Sequence, residues 1–433
     1  MTQLRLFDPD ATPVGVALED LFSAYYACRR GKRRTHNALA FELDYESQLV
    51  RLCDEINDGA YRPGRSVAFI VDEPVKREIF AAEFRDRVVH HLLIAKLNPS
   101  FEKAFIYDSY ACRVGKGTLF GIRRVQRFIR ECSVNYSSDC YVLKLDIRGF
   151  FMNINIDVLY GRLERFVNDK YRGQDREVVL RLSRQVLFTR PVDNCVIKGD
   201  RRDWVGLPNS KSLFHSPLRC GLPIGNLSSQ VFANFYLNAL DHFVKHDLGV
   251  RFYGRYVDDL VIVHRDREYL LSLIGVLREF LQTELALELH PDKIYLQHYE
   301  KGVNFLGVVI KPHRVYVGQR TKGNFVAAIQ HHNAVLRRAE NSGVGPTLFE
   351  KQAFVATVNS YLGLMKHHNT RRLRYRTVRR EFDGWWRYVY TDGNTSKVSL
   401  KPSSNCGVRS GLCNPSFRCG TLNHARHENY PNP

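Results

Sequence analysis

The chain has 433 residues, 44% hydrophobic and 12% aromatic, enough for two or three domains with real cores and too apolar for general disorder. Lys and Arg number 64 against 45 Asp and Glu, a formal charge of +19 that calls for a polyanionic partner. The opening MTQLRLFDPDATP is polar and acid-bearing, unlike a signal peptide, and no apolar run reaches membrane-spanning length, so nucleic acid is favoured over a membrane and a cytoplasmic location is expected.

Residues 17–60 read as two helices joined by the basic turn CRRGKRRTHN, the second carrying Phe41, Leu43, Leu49, Leu52 and Ile56. SVAFIV, 66–71, reads as a strand. EFRDRVVHHLLIAKLNPSF has helical spacing at Val88, Leu92, Leu93 and Leu97, with Pro99 as its stop. CYVLKLDI, 140–147, alternates as a strand does. Residues 228–246 read as an amphipathic helix, 251–264 as two short strands around a turn, and 268–286 as a helix. VNFLGVVI, 303–310, and RVYV, 314–317, read as a strand pair joined at KPH. Residues 318–390 hold 13 Lys or Arg and 4 Asp or Glu, with helical periodicity at Phe354, Val358, Tyr361 and Leu362, so a separate helical domain is expected there. Beyond about 395 the chain is rich in Ser, Asn, Gly and Pro, and a flexible or partner-dependent tail is expected. The ten cysteines form no C-x-x-C and are expected to be reduced thiols.

Asp258 and Asp259 sit inside the apolar run RYVDDLVIVH, where carboxylates rarely lie without a partner. Adjacent strand residues point to opposite faces, so the two are expected to be unequal, Asp258 the more direct ligand and Asp259 nearer the edge. Asp146, ending the apolar strand YVLKLD, supplies a third carboxylate. Such a set suits Mg²⁺, and two-metal phosphoryl transfer places its ions roughly 3.5–4 Å apart. The competing reading is a solvated Asp pair at a hairpin turn, against which the apolar flanks and the basic charge both weigh.

YVDD, between a Tyr-bearing turn and an apolar strand, resembles the catalytic box of reverse transcriptases. Other boxes follow in order: DSYACRVGKGT (108–118) resembles the template-holding fingers motif, LKLDIRGFFMNI (143–154) the first catalytic-aspartate motif, and GLPIGNLSSQVFANFYLNALD (221–241) the nucleotide-pocket box. LHPDKIYL (289–296) and VNFLGVVI resemble the lysine box and the primer grip. Group II intron enzymes carry Q-G-x-x-x-S-P in the pocket box. Here Ile224, Gly225 and Gln230, with KSLF (211–214) and FRDRVVHH (84–91), resemble the reverse transcriptases of diversity-generating retroelements.

That resemblance implies an α+β right-hand polymerase: N-terminal helices and fingers (1–140), a palm of antiparallel sheet backed by helices (141–317, with an insertion around 160–220), a helical thumb (318–395) and a tail (396–433). It implies a bacterial or phage RNA-directed DNA polymerase that copies template-repeat RNA into cDNA, with frequent errors opposite adenine, for mutagenic retrohoming. Its partners would be template RNA, the primer or cDNA strand, dNTPs and a small basic accessory variability protein. Asp146, Asp258 and Asp259 would hold a pair of Mg²⁺ ions, with Mn²⁺ able to substitute, and Lys293 would protonate the leaving pyrophosphate. Lys76 and Arg77 would contact the triphosphate, Phe151 would be the steric gate, and Ile224 and Gly225 would line the pocket; Phe150, on the other face if the strand continues, would be the core residue. Arg113 and Lys116 would hold template. An antiphage-defence reverse transcriptase, or a catalytically silent RNA-binding scaffold, is the alternative.

RRLRYRTVRR, 371–380, places Arg371, Arg372, Arg374, Arg376, Arg379 and Arg380 beside one Tyr; on a helix they would face nucleic-acid phosphates. Three other patterns are set aside. VGKGT lacks the first Walker glycine, because position 110 is Tyr110. HFVKH has Phe243 where a zinc protease needs Glu. Cys406, Cys413, Cys419, His424 and His427 fit no compact zinc spacing.

Overall fold

A computed structural model describes residues 15–30, 36–72 and 75–402. The elements are Leu18–Arg29 (α1), His36–Glu42 (α2), Tyr45–Asn57 (α3), Ser66–Val71 (β1), Arg77–Ala81 (β2), Phe84–Ala104 (α4), Thr118–Cys132 (α5), Tyr141–Asp146 (β3), Phe150–Asn153 (α6), Ile156–Lys170 (α7), Arg176–Phe188 (α8) and Cys195–Ile197 (β4). Then come Leu227–Tyr236 (α9), Asn238–His242 (α10), Tyr253–Tyr256 (β5), Asp259–His264 (β6), Arg267–Leu285 (α11), Tyr295–His298 (β7), Val303–Phe305 (β8), Val308–Lys311 (β9) and Arg314–Val317 (β10). Gln319–Asn341 (α12), Leu348–Met365 (α13), Arg371–Glu381 (α14), Val389–Thr391 (β11) and Val398–Leu400 (β12) complete the described chain. Among these residues no helix is long and apolar enough to cross a membrane.

The central sheet runs β5-β6-β3-β7, antiparallel throughout. β6 is buried on both faces, which is why it reads as an apolar run, whereas β3 keeps the part-exposed Lys144 and the edge strand β7 is only part-buried. Leu143, Leu145, Leu260 and Ile262 join the large core made with α1, α3, α4, α7, α8, α9 and α11. Val142, Val261 and Val263 face the other way, against α5 and the β8-β9-β10 meander. A third cluster, from Phe325 to Val398, packs α12, α13 and α14 around the stacked rings of Phe354 and Trp385, 4.1 Å apart.

Several expectations need correcting. The second N-terminal helix is two pieces, α2 and α3, broken where Leu43 is exposed and Asp44 leaves helical geometry. Pro99 does not stop α4, which carries it internally and runs on to Ala104, because burial of Leu97 and Phe101 against the core outweighs the one missing backbone donor. Residues 228–246 divide into α9, α10 and a π-helical turn, Phe243–Asp247. VNFLGVVI is two strands, because Leu306 and Gly307, both at positive φ, turn the chain back between β8 and β9. The start of the expected tail is structured: β12 pairs with β11, and Val398 is fully buried. The tail from 403 on, including Cys406, Cys413, Cys419, His424 and His427, lies outside the described residues.

Candidate active site

β3 and β6 run side by side so that Asp146, ending β3, lies directly opposite Asp259, which begins β6. Cross-strand neighbours of this kind hold their Cβ atoms roughly 5 Å apart. The two belong to the face that carries Val142 and Val261. Asp258 is not on the strand. It is the second residue of a two-residue turn, Val257-Asp258, closed by the Tyr256–Asp259 pair. The expected inequality of the two aspartates therefore arises from turn against strand, not from strand alternation, and the register sets Asp259 against Asp146.

The turn is strained. Val257 has φ of 55°, costly for a β-branched residue, on the order of 1–3 kcal/mol. Its carbonyl accepts from Arg255 Nη1 at 3.0 Å. Arg255 is fully buried in β5 and pairs with the equally buried Asp241 (Nε–Oδ1 2.8 Å, Nη2–Oδ2 2.5 Å), whose Oδ1 also accepts from Tyr253 at 2.7 Å. Arg255 and Asp241 escaped the sequence reading. The available signal was an arginine inside an apolar strand pattern, for which burial demands a partner.

Burial, then the charges of Asp259 and Asp146, pushes Asp258 up to about 7. Asp259 is also raised, mainly by burial and against the lowering effect of Lys144. Lys293 Nζ contacts both oxygens of Asp146, at 2.9 and 3.0 Å. Among the described residues, no three His, Cys, Asp or Glu side chains are grouped to hold a metal ion. The donor set nevertheless fits a hard divalent cation: three carboxylates meet on one rim, and among the described residues only Asp146 has an ion-pair partner, Lys293, with Lys144 acting on Asp259 from farther off, a surplus of negative charge.

All three acids line a cavity of about 940 Å³, together with Lys76, Arg77, Phe151, Ile224 and Lys293. Arg77, at the start of β2, is exposed, whereas Lys76 donates to the Val205 carbonyl at 2.8 Å and lies 3.5 Å from Asp72. The strand does not continue past Asp146 as expected. Gly149, at φ of 55°, opens the short α6, which buries Phe150 and leaves Phe151 part-exposed on the cavity wall. Ile224 accepts at its carbonyl from Phe80 N (2.8 Å), and Gly225 has φ of 127°. A Cβ on Gly225 would meet Ile79 Cγ2 at 2.8 Å and the Phe80 carbonyl at 3.0 Å, so only glycine lets this loop lie on β2.

Two expected nucleic-acid contacts turn inward. Arg113 spends its guanidinium on Glu102 (2.9 and 2.8 Å) and on the carbonyls of Ile106 and Ser109 (2.7 and 3.0 Å), so it braces its own loop. Arg374 is buried and donates to the Thr395 carbonyl at 2.7 Å. Lys116 lies over the Tyr107 ring at 4.1 Å and bonds the Tyr107 carbonyl; burial, then Arg113, pulls it down to about 8. Arg371, Arg372, Arg376, Arg379 and Arg380 are exposed on α14, with Arg379 bonded to the exposed Tyr375 hydroxyl at 2.6 Å.

The reverse transcriptase (RNA-dependent DNA polymerase) family profile matches residues 76–310, more than half of the chain. Protein YkfC of Escherichia coli K12 is 23% identical over 303 residues, covering 62% of this chain and 72% of that protein. A putative COX1/OXI3 intron 2 protein of Saccharomyces cerevisiae is 19% identical over 360 residues, 68% of this chain and 38% of its own length. Nuclear intron maturase 1, mitochondrial, of Arabidopsis thaliana is 31% identical over 98 residues, 22% of this chain and 13% of its own length. The chain thus spans well under half of these last two relatives. A Candida albicans telomerase, solved with a fragment of telomeric RNA, aligns with a TM-score of 0.42 at 11% identity, over 80% of this chain and 67% of that one.

Proposed function

This chain belongs to the reverse transcriptase family and is an RNA-directed DNA polymerase; on that premise we propose that the cavity is its polymerisation site and that it makes error-prone cDNA from a template-repeat RNA for a diversity-generating retroelement. The observation that carries the reading is the meeting of Asp146, Asp258 and Asp259 at one end of two paired strands, in one cavity with the cations Lys76 and Arg77. In this reading the four-stranded sheet and its helices are the palm, the chain before residue 140 supplies the fingers, and residues 318–395 form the thumb.

Asp146, Asp258 and Asp259 would hold a pair of Mg²⁺ ions, with Mn²⁺ able to substitute. Bound there, the metal supplies charge neutralisation for the triphosphate and a more acidic primer 3′-hydroxyl. The remaining work falls to the protein's own groups. Arg77 and Lys76 bind phosphate. Phe151 occupies the space a ribose 2′-hydroxyl would need. Lys293, released from Asp146, donates a proton to the leaving pyrophosphate. The exposed arginines of α14 follow the template–primer backbone, and a small basic accessory protein assists. Ile224 supports the error-prone reading: it offers the nascent pair no hydrogen bond where glutamine would.

Extension of a DNA primer on an RNA template tests the site. Wild type should extend and Asp258→Ala should lose about 10³-fold, the scale of several kcal/mol of transition-state stabilisation. A wild type that binds RNA and never extends would make the chain a scaffold. Sequencing the cDNA tests the finer assignment: Ile224→Gln should lower misincorporation opposite adenine about tenfold, the effect of one contact worth about 1.4 kcal/mol. An unchanged error spectrum removes it.

A further inference from the structure

We propose that Lys211 is a third cation at the phosphates of the incoming nucleotide, set in place by a buried clasp between Glu78 and the segment that carries it. This rests on reading the cavity as the polymerisation site. The segment from Pro191 to Ser216 has little regular structure beyond β4 and short 3-10 turns. Its anchor is Glu78 of β2, 1% exposed. The Glu78 carboxylate accepts from Trp204 Nε1 (2.6 Å), Ser212 Oγ (2.7 Å) and the Leu213 backbone N–H (2.6 Å). Charge-assisted bonds of this kind are the strong ones, and here they fix the chain immediately after Lys211. Leu213 adds a small apolar core with Ala68, Phe80 and Met152.

The clasp seats the turn Asn209–Lys211 against α6. A Cβ on Gly149 would meet the Ser210 carbonyl at 3.1 Å. Ser210 and Lys211 thereby become part of the same cavity wall as Arg77, Phe151 and the three aspartates. The other lysines of that wall are engaged, Lys76 by Val205 and Asp72, Lys293 by Asp146. Lys211 is exposed and, among the described residues, its ammonium has no hydrogen-bond or carboxylate partner. A triphosphate is repelled by the acidic end of the cavity and needs cations beyond it, and a lysine on a fixed turn supplies one at small entropic cost.

The test is the dNTP KM during primer extension on RNA. Lys211→Ala should raise it about tenfold, the loss of one charge-assisted contact, with kcat within about threefold and primer–template affinity unchanged. Lys211→Arg should restore most of the loss. Glu78→Gln, which weakens the clasp and leaves the cavity charges alone, should move KM the same way. An unchanged dNTP KM in Lys211→Ala overturns the proposal, as does a loss that falls on primer–template affinity instead. Equilibrium binding of inorganic tripolyphosphate to the free protein gives a readout without chemistry. It should weaken about tenfold in Lys211→Ala whether or not the wild type extends primers, so failure of the Lys211 assignment and failure of the polymerisation-site reading are told apart.

Discussion

Asp241 and Arg255 are wholly buried and fully paired, whereas Asp258 and Asp259, on the hairpin that carries Arg255, and Asp146, on the neighbouring strand, are half-buried and among the described residues have one ion pair between them, Lys293 with Asp146. In the first cluster every charge meets its opposite, and the surplus donor Nη1 holds the strained turn at Val257. In the second, like charges crowd at the mouth of a cavity. The contrast separates charge that holds the chain from charge kept for something the chain binds. The largest effect should follow from breaking the first cluster. Asp241→Asn leaves Arg255 charged and buried, and should cost about 3–5 kcal/mol in urea unfolding. Asp258→Asn, which relieves repulsion, should cost nothing at neutral pH. A near-native stability for Asp241→Asn would erase the distinction.

A smaller effect sharpens the same contrast through pH. Asp258 protonates near 7 in the folded chain and near 4 when unfolded, so between those values the native state holds the extra proton. Its contribution to stability is therefore complete below about pH 4 and lost as pH rises through 7. Three pH units would amount to about 4 kcal/mol for a fully shielded group, and about 2 kcal/mol is expected for this mostly buried one with part of its surface in water. Measured in chelator, the decline from pH 5 to 8, which spans about two-thirds of that range, should be shallower in Asp258→Asn by about two-thirds of that amount. A parallel decline in both proteins would place the pH dependence elsewhere.

The second cluster was readable from sequence and the first was not. Asp146, Asp258 and Asp259 interrupt apolar runs, and such interruptions are visible without coordinates. The strands β3, β5 and β6 were legible for the same reason. What stayed hidden depends on partners far along the chain. Glu78 meets Ser212 across 134 positions, and Arg255 reaches Ser109 across 146. No periodicity reports such meetings. Arg113 looked like a free cation for the same reason, since its acid, Glu102, belongs to the preceding helix. Pro99 misled because local propensity was weighed without the core that α4 fills.

Helix α14 repeats the contrast within a single turn, and there the expected effect is smallest. Arg374 lies on the buried stripe with Thr377 and Val378, while Arg372, Arg376, Arg379 and Arg380 share the opposite, solvent-facing stripe at helical spacing. If that stripe follows a nucleic-acid backbone, each arginine that touches a phosphate releases a counterion. Arg376→Ala should then reduce the slope of log affinity against log salt by about 0.7–0.9 and weaken RNA binding severalfold, with unfolding unchanged. Arg374→Ala should do the reverse, lowering stability by about 1–2 kcal/mol through the lost bond to Thr395 and leaving the salt slope alone. Two arginines of one helix, two residues apart, would then report two different quantities. Equal salt slopes in the two variants would mean that the outer stripe is only a solvated face, and template binding would have to be sought on other surfaces.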